Sequence, residues 1–357
     1  MGGIPQVANQ VFAPRIPEKC SMSESANKNR PAFDPKKTQK VAEYKHTRPL
    51  LGCRFDPAGR FVVVGAQGNE VARWSLADGK KTDLLGHDSW VRALACSRDG
   101  SKLITGDYGG RVSCWSIPEP APKPLWTVPA HQGWVRAVAV SPDNQLLATV
   151  GNDHFVRLWS MEGKPIRELA GHACHVYHTA FHPAGKLLVS ADLKGAVHVW
   201  DFATGKLTRS LDAKLLWKFD SGFAADIGGV RGMAFSSDGS LLACAGITEV
   251  TNAFAGVGQP LVVLFDFNSG KHKHLLRCDK SFQGVCWGIV IHAAGLAIGA
   301  GGGGSGGAVW FWNVDDGKLV HSISSPSPAR DIDLHPDNRR IATAHYDATL
   351  QVHQLSS

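Results

Sequence analysis

Short apolar runs, most of them alternating with polar positions, recur along the chain and break at small tight-turn signals. Seven such signals follow an apolar run: "FDPAG" at 55, "SRDG" at 97, "SPDN" at 141, "FHPAG" at 181, "SSDG" at 236, "IHAAG" at 291 and "LHPDN" at 334. Most lead into a second run, such as "RFVVVGA", "QLLATVG" or "KLLVSAD". Alternation on either side of an Asp-Gly-like turn predicts a β-hairpin. A third run then ends on a bulky residue: Trp74, Trp115, Trp159, Trp200, Phe265, Trp312 and, in the last copy, His353. After five of these comes another turn carrying Gly-Lys, as in "LADGK" and "FATGK", and then a fourth run. The pattern predicts units of four short strands.

The regular copies are about 41 to 44 residues long, a period that marks repeat architectures. Over residues 39–354 the chain resembles the WD40 repeat family, best in the third copy (His131–Ser160) and the fourth (Gly171–Asp201). Copies five and six match through turns and strand pattern only; they lack the Gly-His opening, and copy five has Phe265 where a Trp is expected. The resemblance implies an all-β fold, a seven-bladed β-propeller of four-stranded antiparallel blades, whose closure protects the strand edges. The last copy stops after its third strand, while Lys40–His46 lines up with the outer strand at Ile166–His172. An N-terminal strand is therefore expected to complete the last blade. Residues 39–354 form the propeller in this reading, and 1–38, rich in Pro, Ser, Asn and Lys, a flexible basic tail.

The stretch "GNDHFVRLWS" (Gly151 to Ser160) gathers Asp, His, Arg and Trp as an active site would. A buried Trp159 needs an acceptor for its indole N–H. The resemblance supplies one through a chain of side chains at fixed offsets: Thr149, ten residues before the Trp, Asp153, six before it, and His131 at the start of the unit. Other copies read as partial. Copy four has His172, Ser190 and Trp200 with Lys194 at the Asp offset, and copy two has His87, Thr105 and Trp115 with Gly109 there. Copy seven keeps Thr343 and Asp347 but has Ser325 and His353 in place of His and Trp. Hydroxyl, imidazole and carboxylate also spell a nucleophilic triad. Offsets that tie them to the repeat make them architecture.

Composition adds limits. With 43% hydrophobic and 19% charged residues over 357, the chain reads as soluble and globular. No apolar run approaches the roughly 18–20 residues that span a bilayer. The first twenty residues lack a secretory core, and Gln6 stands where a myristoylation signal needs Ser or Thr. Eight cysteines without a C-x-x-C pair, several inside strand-like runs, read as buried reduced thiols of a cytoplasmic protein. The net charge of +7 (38 minus 31) is +4 over residues 1–45 and +3 over the rest, which permits an anionic partner without requiring one.

Three motifs carry little chemistry. "HACHVYH" holds three imidazoles and Cys174, but His172 belongs to the blade network, and His175 and His178 face opposite sides of a strand, so no metal site is expected. "GAGGGGSGGAVW" contains G-x-G-x-x-G, yet a strand follows where a dinucleotide fingerprint opens a helix. It is read as a long flexible loop, Gly299–Gly307, and no cofactor is implied. "KHKH" (Lys271 to His274) is the charged rim of an outer strand.

One pattern is left over. Five residues on from each copy's opening position stand Leu51, Arg92, Arg136, Tyr177, Arg231, Trp287 and Arg330. Three on stand Pro49, Trp90, Trp134, His175, Gly229, Val285 and Pro328. Both offsets lie where the innermost strand begins, at one mouth of the channel, and the resemblance implies that this top face grips partners. Arg, Trp and Tyr are the types richest in interface hot spots. The insertions 247–260 and the glycine run, with the linker 215–229, are expected to open onto the same end. The function expected is a non-catalytic scaffold that binds a protein through Trp90, Arg92, Trp134, Arg136, His175, Tyr177, Arg231, Trp287 and Arg330, with an acidic or phosphorylated segment as the fitting partner. The alternative is nucleic acid, held by the same ring and the tail. A channel enzyme is the third class; Asp107 and Asp192 are the acids near the mouth, with no facing partner expected.

Overall fold

The structure, a computed structural model, describes residues 33–252 and 257–356. Seven four-stranded antiparallel sheets follow one another along the chain, each running from an innermost to an outermost strand. The innermost strands are Leu50–Phe55, Val91–Cys96, Val135–Val140, Val176–Phe181, Gly232–Phe235, Val285–His292 and Ala329–Leu334, which open blades 1 to 7. Blade 7 takes its outermost strand from the other end of the chain: Gln39–Lys45 runs antiparallel to Thr349–Gln354, with Gln39 opposite Gln354 and Lys45 opposite Thr349. The chain therefore closes its own ring.

Apolar runs such as "FVVVGA" are buried on both faces because each blade is sandwiched between two others. Leu50, Cys53, Val62, Val64 and Trp74 of blade 1 pack against Ala342, Ala344, Leu350 and Val352 of blade 7. Outer strands such as Pro165–Leu169 are mostly exposed. Of the expected tail, residues 1–32 lie outside the described residues. Its last six are fixed on the propeller: Phe33 packs on His292 and Phe311 (5.1 and 6.2 Å between ring centres), and the Asp34 N–H donates to the Ser356 carbonyl at 3.0 Å.

The side-chain network is complete in three blades, not one. In blade 3 the Trp159 indole donates to Thr149 Oγ1 (2.9 Å), His131 Nε2 meets that hydroxyl (2.8 Å), and His131 Nδ1 meets Asp153 (2.8 Å). Blade 2 repeats this with Trp115, Thr105, His87 and Asp107 (2.8, 2.6 and 2.7 Å), and blade 4 with Trp200, Ser190, His172 and Asp192 (2.8, 2.6 and 2.8 Å). The acid in these two stands eight residues before the Trp rather than six. Reading Gly109 and Lys194 as gaps was therefore wrong, and Asp107 and Asp192 are bound to imidazoles. In blade 7 Thr343 bonds His345 at 2.8 Å, and Asp347 instead ties Thr349 at 2.6 Å.

The glycine run is also corrected. Leu296–Gly303 and Gly306–Asn313 are paired strands, with Gly299 opposite Trp310 and Gly303 opposite Gly306, so the loop is a two-residue turn. A Cβ on Gly299 would stand 2.7 Å from the Trp312 ring and 2.8 Å from the Cys286 sulfur, so glycine makes room for the inter-blade indole. The insertion in blade 5 is likewise strand, Leu241–Asn252 and Val257–Asp266, its tip lying outside the described residues. The linker folds as a hairpin of its own, Trp217–Asp220 with Ala225–Gly228.

Candidate functional site

Six of the seven residues at the fifth offset sit on a break in strand register, and the seventh, Arg231, stands just before its strand. In six blades the pairing of the first and second strands skips one residue: Leu51, Arg92, Arg136, Tyr177, Trp287 and Arg330. In blade 5 the Arg231 N–H donates to the carbonyl of Ala245, the residue paired with Gly232. A β-bulge leaves one residue out of the ladder and re-aims its side chain. Here six bulges and the start of the blade 5 strand aim seven side chains at one channel mouth.

The mouth is a cavity of about 210 Å³ whose lining includes Arg92, Arg136, Tyr177, Arg231, Trp287 and Arg330. Among the described residues, none of the four guanidiniums has a carboxylate within ion-pair distance. Aromatic faces take that place. Arg136 lies over Trp134 and Tyr177 (4.3 and 4.5 Å to the ring centres), and Arg231 over Tyr177 and Trp287 (4.5 and 5.3 Å). Arg330 lies over Trp287 and Tyr346 (4.5 and 5.0 Å), and Arg92 is 5.9 Å from Trp287. Stacking leaves the in-plane N–H donors of a guanidinium free for a ligand. Among the described residues few protein acceptors are in reach: Asn152 Oδ1 for Arg136 at 2.7 Å, the Leu51 carbonyl for Arg92 at 3.4 Å and the Tyr177 hydroxyl for Arg231.

Burial pushes Arg136 down to about 10; Tyr177 and Tyr108 oppose this, while Arg231 and Arg92 add to it. Arg231 and Arg330 are lowered first by burial, with Arg92 repelling both. All remain cations at neutral pH, but crowded ones that an anion would relieve.

Beside the ring lies an aromatic shelf: Tyr108 stacks on Trp134 at 3.9 Å and 6°, with Trp90 5.8 Å from Tyr108. Trp90 and Trp134 are 44% and 38% exposed. His175 is not free at the mouth; its Nδ1 bonds the Asn152 carbonyl at 2.7 Å. Sequence reasoning missed Tyr108, Asn152 and Tyr346. Their signal was available: all stand twenty-one residues after the opening position, and each N–H donates to the carbonyl of its copy's third-offset residue (Trp90, Trp134 and Pro328). The insertions meet the ring at Trp287, which packs with Ile227, Ile247, Val250 and Val285. Lys218 of the linker hairpin donates to the Val250 carbonyl at 2.8 Å.

Further down the channel Asp331 pairs with Arg54 at 2.6 Å and accepts the Cys53 N–H, while Asp333 accepts the Phe55 N–H at 2.7 Å. Burial pushes Asp333 up to about 6, Arg54 pulling it back and Asp331 adding to the rise. A folded pKa above the unfolded one means that folding takes up a proton between roughly pH 4 and 6. This group's stabilising share is thus complete below pH 4 and is lost as pH rises through 6. Asp333→Asn keeps the acceptor but cannot ionise. Its stability relative to wild type, from urea unfolding at pH 4 and pH 7, should improve toward pH 7 by about 2–3 kcal/mol. A difference flat with pH would refute the assignment.

Among the described residues no helix is long and apolar enough to cross a membrane. The family model described as "WD domain, G-beta repeat" matches residues 79–116, 122–160, 163–201 and 317–354. Its matches begin at or before the outermost strand of one blade and end with the third strand of the next, and the last of them stops at Gln354. The chain is similar to the Periodic tryptophan protein 2 homolog of Schizosaccharomyces pombe, 25% identical over 252 residues, 67% of this chain and 23% of that protein. It is similar to Transcription initiation factor TFIID subunit 5 of Caenorhabditis elegans, 24% identical over 48% of this chain and 26% of that protein. Small ribosomal subunit protein RACK1 of the same organism is 29% identical over 35% of this chain and 38% of its own length. The matched stretch is less than half the length of each of these relatives. Four stretches of the chain, less than half of its length, thus carry WD40 repeats, set within seven closed four-stranded blades.

Proposed function

We propose that the protein is a non-catalytic interaction scaffold whose channel mouth binds an acidic or phosphorylated segment of a partner protein. The observation that carries this is the ring itself: six bulged residues and Arg231 bring four guanidiniums to one mouth with aromatic faces and, among the described residues, no carboxylate within ion-pair distance. A built, crowded cation cluster is costly unless an anion joins it. Arg to carboxylate or phosphate bonds contribute roughly 1.5–3 kcal/mol each when well formed. The shelf of Trp90, Tyr108 and Trp134 offers apolar area for the residues flanking the acid. Two relatives are named as subunits of larger assemblies, a transcription initiation factor and a small ribosomal subunit, and a rigid adaptor role fits that company.

The test is a pull-down with wild type and with Arg92→Glu/Arg136→Glu, followed by titration of the recovered protein before and after phosphatase treatment. Reversing both charges should weaken binding by roughly 100-fold or more. Equal recovery with a folded variant would leave the ring as a solvated rim. The stacked shelf would also serve a single-stranded nucleic acid. That reading expects a labelled oligonucleotide to bind with an affinity that falls steeply and linearly in log salt.

A further inference from the structure

Below the mouth the channel narrows to a second cavity of about 30 Å³, whose lining includes Arg54, Arg92, Arg136, Arg231, His178 and Asp331. It shares Arg92, Arg136 and Arg231 with the mouth above. Of the seven residues that follow the ring residues, five are glycine or alanine, which keeps this level open. His178 and Asp331 alone carry polar side chains at that position.

The charges here do not balance. Four guanidiniums face one carboxylate, and that carboxylate is taken up by Arg54 at 2.6 Å and by the Cys53 N–H at 3.1 Å. His178 adds no charge at neutral pH, because burial, and then Arg54 and Arg92, push it down to about 4. Two buried nitrogens, His178 Nδ1 and Arg231 Nε, find no hydrogen-bond partner among the described residues. Buried polar groups are almost always satisfied, and a buried charge needs a counter-charge. A space of this size holds about one small particle.

We propose that this lower cavity binds one small monovalent anion, of halide size, between Arg54 below and Arg92, Arg136 and Arg231 above. Arg231 Nε–H donates to it from one side and the Nδ1–H tautomer of His178 from the other. The apolar collar of Ala93, Leu94, Ala137 and Val138 strips its water. The site stands whatever the mouth above it binds.

Bromide is the probe. The full chain is unfolded by heat in rising sodium bromide, with ionic strength held constant by sodium gluconate, an anion too large for the cavity. The midpoint should rise by roughly 2 °C at a tenfold excess over the dissociation constant and continue logarithmically. His178→Phe, which fills the cavity and removes the donor, should abolish that rise while partner capture at the mouth is retained. If the variant does not fold, crystals of the unmodified protein soaked in bromide decide by anomalous scattering. A peak at hydrogen-bond distance from Arg231 Nε and His178 Nδ1 supports the site. Identical midpoints in bromide and gluconate, or bromide found only outside the channel, would overturn it.

Discussion

Asp192→Ala should cost about 3 kcal/mol of unfolding free energy, and Asp347→Ala about 1 kcal/mol or less. Asp192 is 2% exposed and accepts from His172 Nδ1 at 2.8 Å and from the backbone N–H groups of Lys194 and Ala196 at 2.9 and 3.0 Å. Removing it orphans one buried and two part-buried donors and loosens His172 from Ser190 and the Trp200 indole behind it. Asp347 is exposed and holds only its own turn, through Thr349. Spacing alone gives the opposite order, since Asp347 stands at the six-residue offset and Asp192 does not. Against the effect of burial, the bonds from His172 and the two backbone groups hold the Asp192 carboxyl below the ordinary range. Its contribution is therefore full above about pH 4 and is lost as pH falls through the lowered value, so the deficit of Asp192→Ala should shrink in acid. Urea unfolding of both variants at pH 7 and pH 3 decides; equal losses at pH 7 would sink the assignment.

The same pair shows what could be read without coordinates. Turn signals, bulky strand ends and the unfinished last copy were enough for seven blades, and for a first strand that closes the seventh. All of these are local patterns of side-chain size and polarity. The acid of the network was not legible, because its carboxylate can reach one imidazole from either of two places in the same loop. Asp153 does so from six residues before the Trp, with Arg157 at its other oxygen, and Asp107 and Asp192 do so from eight. A count along the chain distinguishes positions, whereas a hydrogen bond asks only for distance.

The ring was legible as a column of residues but not as a device. Counting five from each opening position collects the four arginines, yet nothing in the count says that the strand is bulged there. The bulge is what matters physically. In a regular strand Val91, Arg92 and Ala93 would alternate between blade faces, and a charged residue would be driven into the inter-blade core. Stepping out of the ladder frees Arg92 for the channel while Val91 and Ala93 both stay buried. His175 shows the converse. Its offset places it near the mouth, but the Asn152 carbonyl draws it to the seam between blades 3 and 4.

Gly301→Ala should be among the most damaging single-methyl changes at the described residues, costing more than about 4 kcal/mol or preventing soluble expression. Composition makes this glycine look dispensable, one of many in a run that reads as a loop. In the fold it lies in the second strand of blade 6, paired with Cys286 on one side and Ala308 on the other. A Cβ there would stand 2.0 Å from the Val285 carbonyl oxygen, 2.9 Å from the Trp310 ring and 3.0 Å from the Cys286 Cα. Two of those neighbours are backbone atoms of the first strand, which is paired to this one by the ladder itself, so neither can step away without opening the sheet. Gly222→Ala is the matched control. It lies exposed in the turn of the linker hairpin, and the added methyl would meet only the Asp220 carboxylate, at 3.3 Å. That change should stay within about 0.5 kcal/mol of wild type. Thermal unfolding of the two variants separates a strand from a loop directly. Comparable midpoints for both would mean that the glycine run does not pair as a strand, and that blade 6 has lost the register on which Trp287 and its place in the ring depend.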